Sequence, residues 1–157
     1  MESVLCGLEH TSQHCTMVAI HDGARPLVSQ RIINDTIKCA RTTGAAAPAI
    51  PVKDTIKEAE NAVVINTPKR DALFCVQTPQ CFDRDLIQAA LLKARKDNIS
   101  LTDDCMAVEQ LGMKVHLTTG SNQNIKITTP SDLWIADGIL QGRKKYCASD
   151  MAMTFTD

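Results

Sequence analysis

Apolar positions alternate along the chain between helical spacing and short continuous runs, which predicts helices separated by strands. Helical spacing occurs in residues 3–13, the segment that Ser29 caps and Gly44 ends, residues 83–96, the segment opened by Thr102-Asp103-Asp104, and the helix that starts at Pro130. Strand-type runs cover residues 16–20, 45–52, 62–65, 72–76 and 113–118. This order is typical of an α/β domain with a mainly parallel sheet flanked by helices.

Residues 53–77 differ in composition from the rest of the chain. Their two strand-type runs are separated by turn-prone residues 66–70, which predicts a projecting β-hairpin arm. An isolated two-stranded hairpin is marginally stable in water, so the arm needs another surface. A partner subunit is the obvious candidate.

Two further patterns concern the strand over residues 45–52 and the end of the chain. Pro48 and Pro51 predict that the strand over residues 45–52 lies near a sheet edge or contains a bulge. The weak periodicity of the last residues predicts a loosely held tail. We therefore predict one domain over residues 1–141, with an arm at about 53–77, followed by a tail over residues 142–157.

Composition narrows the class of protein. The chain is 44% hydrophobic and 22% charged, with a net charge of −1 and interspersed signs, so no basic face indicates nucleic acid. No apolar run approaches the roughly 18 residues of a membrane span, and the start lacks the apolar core of a secretory signal, so we expect a cytoplasmic protein. Seven cysteines without a C-x-x-C pair predict reduced, mostly buried thiols.

The sharpest chemical pattern is a strand that ends in a carboxylate, with a guanidinium three residues later: Val18-Ala-Ile-His21-Asp22-Gly23-Ala24-Arg25-Pro26. Open α/β sheets bind ligands at the carboxyl ends of their strands. A carboxylate there suits Mg²⁺, which takes oxygen ligands and bridges substrate phosphates. The alternative is an Asp-Arg pair that only fixes a turn, since Asp-Gly is a common turn dipeptide.

A second pattern places Lys126 just before a helix N-terminus, in Asn124-Ile125-Lys126-Ile127-Thr128-Thr129-Pro130. A positive charge beside unpaired backbone donors suits a phosphate group. Taken alone, however, a lysine near a helix cap is more often a solvated surface residue. On the same grounds Thr55, Arg70 and Thr78 are ordinary exposed polar residues.

The order of the motifs changes this interpretation. Five of them resemble the motifs of 2-C-methyl-D-erythritol 4-phosphate cytidylyltransferases in sequence and order: His21-Asp22-Gly23-Ala24-Arg25-Pro26, Pro51-Val52-Lys53-Asp54-Thr55-Ile56-Lys57, Thr78-Pro79-Gln80, Thr102-Asp103-Asp104 and Asn124-Ile125-Lys126-Ile127-Thr128. The resemblance runs from about Ser3 to Leu140. It implies a partial Rossmann-like nucleotidyltransferase sheet and transfer of CMP from CTP to methylerythritol phosphate, with release of pyrophosphate, in the non-mevalonate isoprenoid pathway.

The resemblance also implies roles for the nucleotide and metal side of the site. Asp22 would bind Mg²⁺, and Asp22 and Lys126 would be the catalytic residues. Ser3 and Gly23 would lie with Asp22 against the nucleotide, at the cytidine ribose.

For the acceptor side, the resemblance implies that methylerythritol phosphate is held by Arg25, Thr55, Arg70, Thr78 and Lys126. In this family the arm crosses to the other subunit of a homodimer. Thr55 and Arg70 would therefore serve the partner's site.

Members of this family begin with a strand and a Gly-rich loop that bears an Arg and then a Lys, which cradle the CTP triphosphate. This sequence has no such segment before Ser3. At about 30 residues per βαβ unit, we expect roughly 80 residues to be absent. We also expect exposed sheet edges and weak or no activity from these 157 residues alone.

Two alternatives stay open. A ribitol-5-phosphate cytidylyltransferase shares the Asn-Ile-Lys and Thr-Pro-Gln patterns, although Gly23-Ala24-Arg25 and residues 52–57 are more similar to the methylerythritol type. The other alternative is a non-catalytic remnant whose arm still forms dimers.

Overall fold

A computed structural model describes the backbone of residues 1–153 and the side chains of residues 1–145. Its helices are α1 (Glu2–Glu9), α2 (Gln30–Thr43), α3 (Arg84–Lys96), α4 (Asp104–Gln110) and α5 (Pro130–Met153). Its strands are β1 (Met17–Ile20), β2 (Ala45–Pro51), β3 (Glu58–Glu60), β4 (Val63–Asn66), β5 (Phe74–Val76), β6 (Gln80–Asp83) and β7 (His116–Thr119). The predicted helices and the α/β class with a sheet flanked by helices are confirmed.

The strand directions differ from the prediction of a mainly parallel sheet. In the described part of the chain, β6 lies between β1 and β2 and is antiparallel to both, β5 is also antiparallel to β2, and β7 alone pairs in parallel. β1, β2 and β7 therefore share one direction, as strand-helix-strand connections favour. The prediction was wrong because the short strand β6, which has no periodic pattern, inserts between the first two.

β2 is the centre of the sheet, so the edge position suggested by Pro48 is wrong. Residues 45–49 are buried, and β2 pairs on both sides. The predicted bulge is not in this strand: Ala46 pairs with Cys81 and Ala49 pairs with Val76, so the two extra residues lie opposite, in the linker between β5 and β6. The Pro48 carbonyl accepts from the Gln77 N–H in that linker at 2.7 Å. The N–H that proline lacks would face the same linker, where the regular pairing is interrupted, so proline is tolerated at this central position.

The arm is a hairpin, but its strands are not the predicted pair. β4 pairs with β3, whereas the second predicted run, residues 72–76, ends in β5 and joins the main sheet. Asn61 and Ala62 have φ angles of 49° and 64°, the conformation of a two-residue hairpin turn. The chain therefore reverses at residues 61–62 and not at 66–70.

The core lies on both faces of the main sheet. α1, α3 and α4 cover one face, where Phe82, Ile87, Leu91 and Val108 are fully buried. α2 covers the other face and packs Ala40 against Ala46 and Cys81. Ser29 caps α2 by accepting from the Ile32 N–H, and Gly44 ends it in the left-handed conformation, as predicted.

The cysteines and the C-terminal segment depart from simple expectation. Cys81 and Cys105 are buried, but Cys6 and Cys75 are exposed, so the prediction of mostly buried thiols is wrong for the described residues.

The predicted tail begins inside α5, where Arg143 donates to the Leu27 carbonyl at 2.8 Å. Residues 154–157 lie outside the described residues. Among the helices of the described chain, none is long and apolar enough to cross a membrane.

Candidate active site

A cleft of about 500 Å³ opens at the carboxyl end of β1, the position where open α/β sheets bind ligands. Small-molecule sites typically enclose about 300–1,000 Å³. The cleft is lined by the start of α1, the turn after β1, the linker between β5 and β6, the start of α4 and the loop before α5. Five segments of the chain therefore meet here.

Asp22 is the centre of charge in the cleft. Its Oδ2 accepts from Arg25 Nε at 3.2 Å and lies 3.2 Å from Lys126 Nζ. The Asp22 side chain is 31% exposed and that of Lys126 is 47% exposed. One carboxylate oxygen thus meets two cations, while Oδ1 forms no hydrogen bond with the described residues.

Arg25 joins the turn after β1 to the loop that carries Lys126. Its Nη1 donates to the Asn124 carbonyl at 2.7 Å, and its side chain is only 13% exposed. The Ile127 N–H also donates to the Ala24 carbonyl at 2.8 Å. Arg25 is therefore fixed, whereas the Lys126 side chain is held mainly by Asp22.

Thr78 is joined to the same turn through His21. Thr78 Oγ1 accepts from the Asp22 N–H at 3.0 Å and lies 2.8 Å from His21 Nδ1, while His21 Nε2 lies 3.1 Å from the Arg25 carbonyl oxygen. A carbonyl can only accept, so Nε2 carries the proton in the neutral ring and Nδ1 accepts from the Thr78 hydroxyl. His21 thus fixes the position of Thr78.

The start of α4 forms an acidic wall of the cleft. Asp103 caps α4 by accepting from the Met106 N–H at 2.9 Å, and it also accepts from Gln80 Nε2 at 2.9 Å. Burial raises the pKa of the Asp104 carboxyl above its ordinary value. The positive charge of the N-terminal amino group opposes this shift, and the negative charges of Asp103 and Asp22 add to it.

Most of the predicted site residues meet in this cleft. The cleft is lined by Ser3, Asp22, Gly23, Arg25, Thr78 and Lys126. Thr55 and Arg70 lie on the exposed arm, where Arg70 Nη1 donates to the Lys53 carbonyl at 3.3 Å. Their service to a partner's site stays a prediction.

Sequence reasoning assigned no role to several residues that line the cleft. His21 and Thr102-Asp103-Asp104 belong to the quoted motifs, but nothing local marked them as site residues. An acidic pair at a helix start indicates only a cap.

The donor set in the cleft fits Mg²⁺ in one particular way. No group of three or more His, Cys, Asp or Glu side chains among the described residues could enclose a metal ion. Mg²⁺ is usually held by one or two carboxylates, with waters and substrate phosphates completing the shell. Asp22, with one carboxylate oxygen unengaged, fits such a phosphate-bridged ion.

Comparison with known proteins shows which family this chain is similar to. Residues 1–142 match the family described as IspD, 2-C-methyl-D-erythritol 4-phosphate cytidylyltransferase. Curated relatives of that name from Alkaliphilus oremlandii and Clostridium novyi are 50% and 51% identical to the chain over 145 and 144 residues, respectively. These matches cover 92% and 91% of this chain, but only 61% and 62% of the relatives, so the chain spans about three fifths of their length.

Solved structures agree with the sequence matches. The 2-C-methyl-D-erythritol 4-phosphate cytidylyltransferase of Thermus thermophilus superposes with a TM-score of 0.80 and is 36% identical, covering 88% of this chain and 68% of that one. The 4-diphosphocytidyl-2C-methyl-D-erythritol synthase of Anaerococcus prevotii gives a TM-score of 0.83 at 36% identity, covering 88% of this chain and 63% of that one.

Proposed function

The chain belongs to the 2-C-methyl-D-erythritol 4-phosphate cytidylyltransferase family, and from this premise we propose that its cleft is the acceptor and metal side of a site that transfers CMP from CTP to 2-C-methyl-D-erythritol 4-phosphate. The observation that carries the proposal is the Asp22 carboxylate paired with both Arg25 and Lys126 at 3.2 Å in the cleft. Two cations beside one carboxylate suit a site that binds phosphates together with a metal ion.

In the proposed reaction, an oxygen of the acceptor phosphate attacks the α-phosphorus of CTP. The new P–O bond forms as the bond to pyrophosphate breaks, so no covalent enzyme intermediate is required. The protein contributes position and neutralisation of charge.

Lys126 and Arg25 would act differently on the incoming phosphate. Lys126 is 47% exposed and can turn from Asp22 to a phosphate oxygen with little desolvation, whereas Arg25, 13% exposed, is held by the Asn124 carbonyl. Arg25 and Thr78 would therefore orient the acceptor, and the Lys126 ammonium group would turn from Asp22 to bind the acceptor phosphate. Ser3 and Gly23 would face the cytidine.

Asp22 would hold Mg²⁺ through its unengaged Oδ1. When bound, Mg²⁺ supplies neutralisation of the phosphate charges.

The arm supports a homodimer in this proposal. Val63, Val64 and Ile65 on β4 are 54–65% exposed, and all residues of β3 are exposed. Covering these side chains with a second copy would stabilise the arm. Thr55 and Arg70 would then reach the partner's acceptor site.

The proposal is tested by measuring pyrophosphate release with CTP, Mg²⁺ and either 2-C-methyl-D-erythritol 4-phosphate or ribitol 5-phosphate. Because these 157 residues are predicted to have weak or no activity, we expect any release to occur only with the first acceptor and to be lost in Lys126→Ala. Lys38→Ala, which changes an exposed lysine on α2, should have no effect. Release with ribitol 5-phosphate alone would identify the other acceptor class.

Weak or no activity of these 157 residues alone stays a prediction. Turnover at roughly 1–1000 s⁻¹, the usual range of enzymes, would contradict it. Size-exclusion chromatography with a CTP and acceptor titration tests the remaining alternative: a dimer that binds neither substrate would be a non-catalytic remnant.

A further inference from the structure

Gln77 is a buried polar residue for which the proposed reaction has no use. It is 5% exposed and lies in the linker between β5 and β6, directly before Thr78. Burying a side-chain amide is unfavourable unless its polar atoms are hydrogen-bonded. The hydrogen bonds of this amide therefore indicate which parts of the chain it holds together.

The Gln77 carboxamide is bonded entirely to the turn at residues 121–124. Nε2 donates to the Ser121 carbonyl at 2.8 Å and to the Asn124 carbonyl at 3.4 Å. Oε1 accepts from the Ser121 N–H at 3.1 Å and from Asn124 Nδ2 at 3.4 Å. Both donors and both acceptor positions of the amide are thus used on one turn.

The fit around this amide is close. A Cβ atom at Gly120 would lie 2.6 Å from Gln77 Oε1 and 3.0 Å from the Ala49 carbonyl oxygen. Glycine is therefore required at position 120 for the backbone to approach Gln77 and β2.

Asn124 extends the contact from Gln77 to the cleft. It is 0% exposed, and its Nδ2 also donates to the Thr78 carbonyl at 2.9 Å. The Asn124 carbonyl, which Gln77 reaches, is the acceptor for Arg25 at 2.7 Å. Lys126 follows two residues later, so one buried pair joins the backbones that carry Thr78, Arg25 and Lys126.

We propose that Gln77 is a positioning residue: acting through Asn124, it holds the Lys126 loop at a fixed distance from Thr78 on the acceptor side of the cleft. The proposal rests on the proposed function for the identity of the ligand. The geometry of the loop can be tested without it.

The structural test is amide hydrogen exchange in Gln77→Leu, which keeps a similar volume without hydrogen bonds. Gln30→Leu is the matched control, because Gln30 is exposed on α2 and bonds Asn34 on the same helix. In Gln77→Leu we expect at least about tenfold faster exchange of the Ser121 and Ile127 N–H groups, with α3 unchanged. Unchanged exchange at these two amides would overturn the proposal.

If Gln77→Leu does not fold, Gln77→Met provides the same test. Methionine keeps the unbranched shape of glutamine but makes none of the four hydrogen bonds to Ser121 and Asn124. We expect faster exchange at the same two amides, and its absence would again overturn the proposal.

The functional test is a double-mutant cycle on binding of 2-C-methyl-D-erythritol 4-phosphate. Gln77→Leu should weaken binding by about tenfold in the otherwise unchanged chain, but by less than about twofold when Lys126 is already alanine. A residue with only a general structural role would weaken binding by the same factor in both backgrounds, and equal factors would overturn the proposal. If the unchanged chain does not bind the acceptor, the proposed function fails and hydrogen exchange alone decides the role of Gln77.

Discussion

The arm and the centre of the main sheet are both β structure, yet they are stabilised by different surfaces. Every residue of β3 and β4 is exposed, including Val63 and Ile65 at 65% each. In β2, by contrast, residues 45–49 are buried, and Phe82 on the neighbouring β6 is 0% exposed. The sheet centre is thus stabilised within the chain, whereas the apolar side chains of the arm are left exposed among the described residues.

This difference separates two groups of site residues. Asp22, Thr78 and Lys126 extend from segments that contact the buried sheet, so their distances are set by the fold of one chain. Thr55 and Arg70 lie on the exposed arm, and their proposed service to a partner's site would depend on assembly. Experiments that affect one region and leave the other intact can test this division.

The largest expected contrast is in cysteine reactivity. Burial raises the pKa of the Cys81 thiol to about 11, and burial also raises the pKa of Cys105, whereas Cys75 beside the arm is exposed. At neutral pH we expect a thiol reagent to modify Cys75 at least about 10³-fold faster than Cys81 on β6, which requires unfolding to react. Peptide mass spectrometry gives the rates, and denaturant should equalise them. Similar rates in the native protein would show that the sheet region opens locally.

Truncation of side chains should show the next largest contrast. Phe82→Ala removes a fully buried ring from the sheet face that α1, α3 and α4 cover, and it should lower the free energy of unfolding by about 3–5 kcal/mol. Ile65→Ala on the arm should change it by less than about 0.5 kcal/mol when the protein is dilute. Urea denaturation followed by circular dichroism measures both. A large effect of Ile65→Ala in dilute protein would show that the arm packs on its own chain.

Charges on the arm should separate assembly from folding. Val63→Asp combined with Ile65→Asp places two carboxylates on one face of β4. We expect this change to raise the dissociation constant of the dimer by about thirtyfold or more. Leu92→Asp on α3, which is 41% exposed, is the matched control and should leave association unchanged. Sedimentation velocity over a concentration series measures the effect. Equal association of all three proteins would argue against dimerisation through the arm.

A smaller effect is expected from Asp104 at the acidic wall of the cleft. Its pKa is raised mainly by burial, so its contribution to stability is present at acidic pH and is lost as the pH rises through the folded-state pKa. Asp104→Asn should therefore unfold at higher urea than the unchanged chain at neutral pH, with no gain in acid.

Asp132 provides a control because its pKa is shifted in the opposite direction, below its ordinary value. Hydrogen bonds from the backbone N–H groups of Thr128 and Thr129 lower the pKa of its carboxyl, so its contribution is present at neutral pH and lost in acid. Asp132→Asn should be less stable than the unchanged chain at neutral pH and equal to it in acid. The same pH response in both variants would contradict this assignment of causes.

The helices could be predicted from sequence because their signals are local. Ser29 and Asp103 accept from backbone N–H groups three residues later, and Gly44 ends α2 in a conformation that favours glycine. The sheet was harder to predict because its pairing is not local. β6 is a four-residue strand without alternation, and its place between β1 and β2 depends on partners far along the chain.

The candidate site shows the same division. Asp22, Arg25 and Lys126 lie in motifs that could be identified by resemblance. The roles of His21 and Gln77 depend on contacts across 44–57 residues of sequence, and no local pattern indicates them. The arm shows a third case: the polar residues 66–70 predict the turn, but the chain reverses at Asn61 and Ala62, whose φ angles are positive.

The central claim is that the cleft around Asp22 recognises the acceptor phosphate, and calorimetric titration of the 157-residue chain with 2-C-methyl-D-erythritol 4-phosphate in the presence of Mg²⁺ tests it most directly. We predict saturable binding that Lys126→Ala weakens by about tenfold to a hundredfold, as expected for loss of a charge-assisted bond, and that Lys38→Ala leaves unchanged. No binding by the unchanged chain, or equal affinity in Lys126→Ala, would contradict the claim.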